Sequence, residues 1–259
     1  MHILLSPAKD MAQAAQFDVP ATSSPAFQAE AEACAMQMSE LSADELARVL
    51  AINPQLAALN KQRYHDFVDP EPRTPAILAY TGMAYRHLRA ADFSHRELEF
   101  AQSHMHITSF LYGLNRPLDL IKDHRLEGKV VLPDHDGQTM FRWWRPRLTD
   151  HLIRAVEANG GTLVNLASAE MKQLFDWRRV ERAVEVITPE FMVQKAEGLR
   201  TVVVYAKMMR GAMTRQLIAL GAAGMLGTTP LDALRDFNSE GFAFRPEHST
   251  PQRPVWVLD

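Results

Sequence analysis

Three short apolar runs of the sequence each lead into residues that could bind an anion. The runs are Ile3–Leu5, Leu163–Leu166 and Val202–Tyr205. If they form parallel strands, their carboxyl ends meet in one crevice, which is where open α/β sheets bind their ligands. Loop residues on a solvated surface would give the same pattern. The polar residues that we expect at one shared rim are Lys9, Ser168, Glu170, Lys207 and Arg210.

The stretch YAKMMRGAMTR carries three positive charges and no acid. If a helix begins near Lys207, then Lys207 and Arg210 lie about one turn apart on one face. Two cations at that spacing can engage adjacent anionic oxygens. Arg215 is the third basic residue of this stretch.

The stretch LYGLNRPLDL places an arginine at a sharp turn between two apolar runs. The residues before it have helical spacing, so Gly113 is predicted to end a helix in the left-handed conformation, and Pro117 can open the next helix. Such a turn aims backbone N–H groups at a phosphate, and Arg116 adds charge. Residues 97–122 therefore resemble a helix-hairpin-helix, with Asn115 where that motif usually has a second glycine. A simple helix turn with an exposed arginine is the equal alternative.

The elements that must position these residues are short strands separated mostly by segments of helical period. This pattern predicts an α/β fold in which one domain, residues 1–259, contains a mixed sheet. Residues 28–59 read as a helical hairpin, with Ser42 as an N-cap and a restart at Asn53–Pro54. The six runs predicted as strands are Ile3–Leu5, Ala76–Tyr80, Lys129–Leu132, Thr162–Leu166, Ala183–Thr188 and Thr201–Tyr205.

Composition narrows the possible functions. The formal net charge is −3, so nucleic-acid binding must depend on a local basic patch. No apolar run is long enough to span a membrane and no signal peptide is evident, so we expect a cytoplasmic protein. The single cysteine, Cys34, excludes an internal disulfide and is predicted to be a core residue.

Two short motifs contain metal-ligating residue types. They are His104-Met105-His106 and Asp134-His135-Asp136, and neither has further ligands at a recognisable interval. The first motif also lies in a segment that we read as helix, where alternate side chains do not share a face. We therefore expect neither a metal site nor a cofactor.

Taken in order, several short motifs resemble those of the bacterial YaaA peroxide-stress family. They are SPAK (Ser6–Lys9), LYGLNRPLD (Leu111–Asp119), RLE (Arg125–Glu127), NLAS (Asn165–Ser168), YAK with RG (Tyr205–Gly211) and FNSEGF (Phe237–Phe242). The resemblance implies one α/β domain with a twisted mixed β-sheet surrounded by helices, a basic cleft and a helix-hairpin-helix-like element. It also implies binding of double-stranded DNA, whether plain, bent or damaged. The implied role is protection from hydrogen peroxide with lowered free intracellular iron.

The resemblance also suggests which residues line the cleft. The basic residues placed there are Lys9, Arg116, Arg125, Lys207 and Arg210. Further cleft candidates are Ser6, Gly113, Asn115, Lys129, Ser168, Glu170, Arg215 and Glu240. This chain has Met208 and Met171 where similar members usually have a lysine and a tyrosine, so its cleft charge is expected to be lower, and Lys129 is a candidate replacement.

An enzyme is the main alternative. A cleft that contains Lys9, Ser168, Glu170 and Glu240 could bind a phosphorylated or carboxylated small molecule and move a proton, with Arg125 and Glu127 orienting it. The sequence shows no nucleophile-base pair or phosphate-loop glycine pattern that would fix a reaction. A third possibility is an adaptor that meets another protein through the N-terminal helices. A wide basic groove favours DNA, whereas a closed pocket favours catalysis.

Overall fold

The computed structural model describes residues 1–12, 16–69, 73–227 and 230–259. Its α-helices are α1 (Gln28–Glu40), α2 (Ala43–Leu50), α3 (Pro54–His65), α4 (Ala76–Ala79), α5 (Met83–Leu88), α6 (His95–His104), α7 (Met140–Ala158), α8 (Trp177–Ala183), α9 (Val203–Ala223) and α10 (Pro230–Arg235). Its strands are β1 (His2–Leu5), β2 (Thr74–Pro75), β3 (Met105–Ser109), β4 (Gly113–Asn115), β5 (Leu120–Ile121), β6 (Thr162–Leu166), β7 (Glu185–Ile187), β8 (Glu190–Lys195), β9 (Gly198–Arg200), β10 (Ala243–Phe244) and β11 (Val255–Leu258).

The main sheet has five strands in the order β4-β3-β1-β6-β7. The central strand β1 pairs in parallel with β3 and with β6, β7 is parallel to β6, and β4 is antiparallel to β3. All residues of β1, β3 and β6 are buried, as expected for strands covered on both faces. A second sheet has the order β10-β11-β8-β9, and β2 pairs with β5. The predicted mixed α/β fold is therefore confirmed.

Three of the six predicted strands are wrong. Thr201–Tyr205 contains the start of helix α9, and Ala76–Tyr80 contains helix α4. Lys129–Leu132 contributes only an isolated bridge from Val131. The apolar run before Lys207 is not buried, since the first two valines of α9 are 66% and 42% exposed. A preference for strand is weak when the following residues form a long helix with a packed face, and here that packing decides the conformation.

The helix-hairpin-helix prediction for residues 97–122 is also wrong. Helix α6 ends at His104, and the chain continues directly as β3, which pairs with β1. Gly113 does have the predicted positive φ, +69°, but it begins β4 at a turn between antiparallel strands. A β-carbon at this position would lie 2.8 Å from the side chains of both Trp144 and Leu148. The prediction failed because the five residues after α6 do not continue the helix. They form the buried strand β3.

The N-terminal helical region contains three helices instead of the two of a hairpin. Ser42 forms the predicted capping box with Glu45 at the start of α2. Asn53 caps α3, and Pro54 is its first residue. Cys34 on α1 is fully buried, and burial raises the pKa of its thiol to about 12. The thiol is therefore protonated and unreactive at neutral pH, as expected of a core residue.

The contact between α5 and α9 determines where the basic residues of α9 lie. Gly211 faces the backbone of α5, and a β-carbon there would overlap the carbonyl oxygen of Ala84. Glycine therefore allows the two helices to pack backbone against backbone. This contact holds Lys207 and Arg210, on the preceding turn of α9, beside the N-terminal half of α5.

We predict that Gly211→Ala destabilises the fold by about 2 to 3 kcal/mol, because the added methyl group must push α5 away from α9. Urea unfolding measures the change. Val204→Ala is the control on the same helix, because its side chain is exposed and its effect is expected to be within about 0.5 kcal/mol. Equal stabilities of Gly211→Ala and wild type would contradict the close contact.

Two buried histidines lie next to each other in β1 and β3. His2 Nε2 and His106 Nδ1 are 2.7 Å apart, so one nitrogen donates a hydrogen and the other accepts it. Burial lowers the pKa of His2 to about 3 and that of His106 well below its usual value, and the neighbouring His104 and His151 lower the pKa of His2 further. Both rings are therefore neutral in the folded protein at neutral pH.

This pair makes stability depend on pH in the mildly acidic range. Below pH 6.5, the ordinary pKa of histidine, the unfolded chain binds protons at these positions, whereas folded His2 stays neutral down to about pH 3. Each histidine that is protonated in the unfolded chain but neutral in the folded protein lowers the free energy of unfolding by about 1.4 kcal/mol per pH unit as the pH falls through this window. Stability that is present above pH 6.5 is therefore lost as the pH falls.

We predict that His2→Gln reduces the slope of the free energy of unfolding against pH by about 1.4 kcal/mol per pH unit between pH 6 and pH 5, which corresponds to one proton. Urea unfolding at a series of pH values measures this slope. Val204→Ala should leave the slope unchanged, because it changes an exposed side chain that has no titratable group. An unchanged slope in His2→Gln would show that His2 is not held neutral.

Candidate functional site

A cavity of about 380 Å³ lies at the carboxyl ends of β1, β3 and β6. Ser6 follows β1, Phe110 follows β3 and Ser168 lies two residues after β6, and all three residues line the cavity. The ends of these strands meet because the strands are parallel neighbours. Helices α5 and α9 and the segment from His124 to Glu127 supply the remaining walls.

Among the residues that the structure describes, four basic and three acidic residues line the cavity. The basic residues are Lys9, Arg125, Lys207 and Arg210, and the acidic residues are Asp10, Glu127 and Glu170. Glu127 is shared by two cations, at 3.0 Å from Lys9 Nζ and 3.3 Å from an Arg125 terminal nitrogen. The structure thus brings together the five residues expected at one rim, although Lys207 and Arg210 arrive on a helix and not at the end of a strand.

Arg210 carries a charge that no acidic residue in the described part of the chain neutralises. Its side chain is partly buried, its Nε is buried without a hydrogen-bond partner, and within the described ranges it forms no ion pair. Burial lowers the pKa of its guanidinium, as it does for a cation removed from water. The Nε of Arg125 is likewise buried and unpartnered. Both guanidinium groups therefore keep an unused donor beside the cavity.

The floor of the cavity is neutral. The Ser109 hydroxyl accepts hydrogen bonds from the backbone N–H groups of Leu111 and Tyr112, and it lies 3.3 Å from His124 Nε2. His124 Nδ1 lies 2.8 Å from the Lys122 carbonyl oxygen, to which it donates. Burial lowers the pKa of His124 to about 4, so its imidazole is uncharged at neutral pH and its Nε2 accepts from the Ser109 hydroxyl.

Ser6 forms hydrogen bonds to two other walls of the cavity. Its hydroxyl accepts a hydrogen bond of 2.8 Å from the backbone N–H of Ser168, which joins the loops after β1 and β6. Its carbonyl oxygen accepts one of 2.9 Å from the hydroxyl of Tyr85 on α5. Ser6 therefore acts as a structural link, since these bonds fix the distances between three of the elements that form the cavity.

Sequence reasoning missed one wall, the segment that contains α4 and α5. Tyr80, Gly82 and Tyr85 line the cavity, and a β-carbon at Gly82 would lie 2.8 Å from that of Ala8. This close approach explains why a glycine occurs there. The sequence pattern that could have indicated this wall is the Thr-Gly pair that follows Tyr80 and precedes Tyr85. We did not predict a turn there because we assigned Ala76–Tyr80 to a strand.

Arg116 is not among the residues that line the cavity. Its backbone N–H donates to Asp119 Oδ2 at 2.7 Å, and its guanidinium lies 3.3 Å from Oδ1 of the same carboxylate, which is 1% exposed. Ser23 donates a further hydrogen bond to that carboxylate. The contacts of Arg116 therefore stabilise the turn after β4, and its charge is already partnered.

The remaining cleft candidates also lie outside the cavity lining; they are Gly113, Asn115, Lys129, Arg215 and Glu240. Asn115 is fully buried in β4, and Arg215 donates to the carbonyl oxygens of Leu88 and Arg89 at the end of α5. Within the described ranges, no group of three or more His, Cys, Asp or Glu side chains could hold a metal ion. No helix in the same residues is long and apolar enough to cross a membrane.

The unpaired charge of Arg210 leads to a prediction about stability. Replacing it by the neutral Arg210→Met should raise the free energy of unfolding by about 1 kcal/mol, at the low end for a buried charge because the guanidinium is partly solvated. Lys207→Met is the control, because Lys207 is exposed and its charge costs little. A clear decrease in stability in Arg210→Met would indicate that the guanidinium has a partner within the fold.

Comparisons with known proteins agree with the short motifs of the sequence. The profile of the family described as peroxide stress protein YaaA matches residues 1–248. A UPF0246 protein of Phocaeicola vulgatus is 49% identical over 259 residues, which cover 100% of this chain and 99% of the relative. A UPF0246 protein of Porphyromonas gingivalis is 43% identical over 92% of this chain and 91% of its own length, and one of Dinoroseobacter shibae is 38% identical over 99% and 94%. The chain belongs to the YaaA family of peroxide stress proteins.

Proposed function

We propose that this protein binds double-stranded DNA through phosphate contacts at the mouth of the cavity, and that this binding limits iron-dependent oxidative damage. The observation that carries the proposal is the uncompensated guanidinium of Arg210. A partly buried cation without a partner is unfavourable in the free protein, and an incoming phosphate oxygen removes that cost.

The spacing on α9 supports a phosphate ligand. Lys207 and Arg210 lie three residues apart on one continuous helix, so their charged groups can engage adjacent oxygens of one backbone. Lys207 is exposed at the rim, whereas Arg210 is partly buried behind it. Lys9, on the loop after β1, is 66% exposed, but its ion pair with Glu127 already compensates part of its charge, so we expect it to contribute less than the two residues of α9.

Contacts of this kind carry little sequence information. Phosphate contacts position a protein on DNA without reading base edges, so we expect similar affinity for unrelated duplexes of equal shape. Bound cationic side chains also displace the counterions that condense on the phosphates. Displacement of ferrous ions from the backbone is a physical route by which such binding would reduce damage in the presence of peroxide.

An enzyme that acts on a phosphorylated small molecule is the second candidate, because the cavity is concave and has the size of small-molecule pockets. Ser109 and His124 are the lining residues that come closest to a nucleophile-base pair. Ser109 is fully buried, however, and two backbone N–H groups already bond to its oxygen. The hydroxyl therefore has no open approach for a substrate atom, so we favour binding over catalysis.

We predict that the double variant Lys207→Ala with Arg210→Ala weakens the salt dependence of DNA binding. For B-DNA, the slope of log K against log salt changes by about 0.9 for each phosphate that the protein no longer neutralises, so the slope of the double variant should be shallower by nearly two. Fluorescence anisotropy over a salt series with two unrelated duplexes measures both the slope and the lack of sequence preference.

Two variants serve as controls for this measurement. Arg48→Ala changes an exposed arginine on α2, and Arg116→Ala changes an arginine whose charge is already paired with Asp119. Both should keep the wild-type slope. A folded double variant with the wild-type slope would refute phosphate contact by α9, and a large slope change in Arg116→Ala would move the DNA site to the turn after β4.

A further inference from the structure

The cavity is more enclosed than phosphate contact along a duplex requires. Its volume of about 380 Å³ lies within the range of pockets that hold small molecules. A backbone phosphodiester lies on the outside of the duplex and continues in both directions, so it can bring one oxygen to Arg210 at the mouth but cannot place the whole phosphate group inside a recess. A group with a single attachment point can enter, and this distinction separates a terminal phosphate from an internal one.

Three buried polar atoms of the described lining residues have no hydrogen-bond partner. They are Arg125 Nε, Arg210 Nε and the hydroxyl of Tyr80. A guanidinium presents its donors in a planar fork, and phosphate oxygens match that geometry. Glu127 already binds Arg125 and Lys9, so one terminal nitrogen of Arg125 is occupied, whereas its buried Nε has no partner.

The charge of a phosphomonoester fits this arrangement better than that of a diester. A monoester carries between about 1.5 and 2 negative charges near pH 7, by its second pKa of about 6, and it has three terminal oxygens. Two guanidinium groups can bond to these oxygens together, while the exposed Lys207 stays at the rim. Asp10 and Glu170, which form no ion pair within the described ranges, are exposed at the rim and are therefore screened by water.

The walls of the recess suit an uncharged group attached to the phosphate. Tyr80, Tyr85 and Phe110 line it together with Met83, and the floor contains the neutral imidazole of His124. The three aromatic residues are between 3% and 7% exposed, so they offer apolar contact but no free ring face for stacking. A nucleotide with a free phosphate combines both features, the anion for the arginines and an uncharged remainder for the apolar walls.

We propose that this recess is a phosphomonoester site that takes the terminal phosphate of a nucleotide between Arg125 and Arg210. The nucleotide has two possible sources, a 5′-phosphorylated strand end at a gap in DNA or a free mononucleotide. The first source rests on the proposed DNA binding, whereas the phosphate site itself rests on the recess alone.

The test uses one duplex sequence in three forms, which are intact, gapped by one nucleotide with a 5′-phosphate, and gapped with a 5′-hydroxyl. We expect the phosphorylated gap to bind at least about tenfold tighter than the hydroxyl gap, the factor that a single charge-assisted hydrogen bond at the low end of its range would give. Arg210→Met and Arg125→Met should bring this ratio close to one. Lys207→Met should weaken binding to all three duplexes alike and keep the ratio, because it changes a cation at the rim.

A parallel calorimetric titration with thymidine 5′-monophosphate, and with thymidine as its control, identifies the source. Binding of the monophosphate with no preference between the gapped duplexes would support the site with a free nucleotide as its ligand. Binding of the monophosphate with no affinity for any duplex would also support the site, but it would overturn the proposed DNA binding. A ratio of one in the wild-type protein together with no binding of the monophosphate would overturn this inference, and salt-dependent binding of the intact duplex would then leave the proposed function standing.

Discussion

The parallel pairing of β1 with β3 on one side and with β6 on the other is the constraint on which the rest of the structure depends. Every residue of β1 is buried, so this strand can exist only at the centre of a sheet covered on both faces. Because its neighbours run in the same direction, the chain leaves the sheet three times at one edge. Ser6, Ser168 and the turn after Ser109 meet there and form the base of the cavity.

The cavity has a rigid neutral base and a charged rim, and the two have different origins. The base consists of the strand ends, where the hydroxyls of Ser6 and Ser109 are fixed by backbone N–H groups. The charges of Lys207 and Arg210 come from α9, which is held in place by its backbone contact with α5. This arrangement positions the cations before a ligand arrives, which reduces the entropy decrease on binding. The unpaired charge of Arg210 in turn lowers the free energy of unfolding of the free protein.

The polar residues that follow β1 and β6 could be predicted from the sequence. In both places a continuous apolar run, typical of a buried strand, is followed by residues typical of a loop, Ser-Pro or Ala-Ser. The sequence predicts the third element poorly, since the valines before Lys207 have strand propensity but belong to a helix. The turn at Gly113 shows a second limit. Its positive φ could be predicted from a glycine, but whether a helix or a strand precedes it depends on the pairing of β3 with β1, in which Ile3 lies opposite Met105. The role of Arg116 depends on the buried carboxylate of Asp119, and burial cannot be read from a local motif.

The central claim is that the partly buried guanidinium of Arg210 binds a phosphate of DNA. The Nε–H resonances of arginine side chains in a ¹H–¹⁵N spectrum, followed while an intact duplex is added, test it most directly. We expect the Arg210 resonance to shift and to become protected from exchange as its unpartnered Nε acquires an acceptor, while the resonance of Arg116 stays in place. Saturating DNA that leaves the Arg210 resonance unchanged would contradict the account.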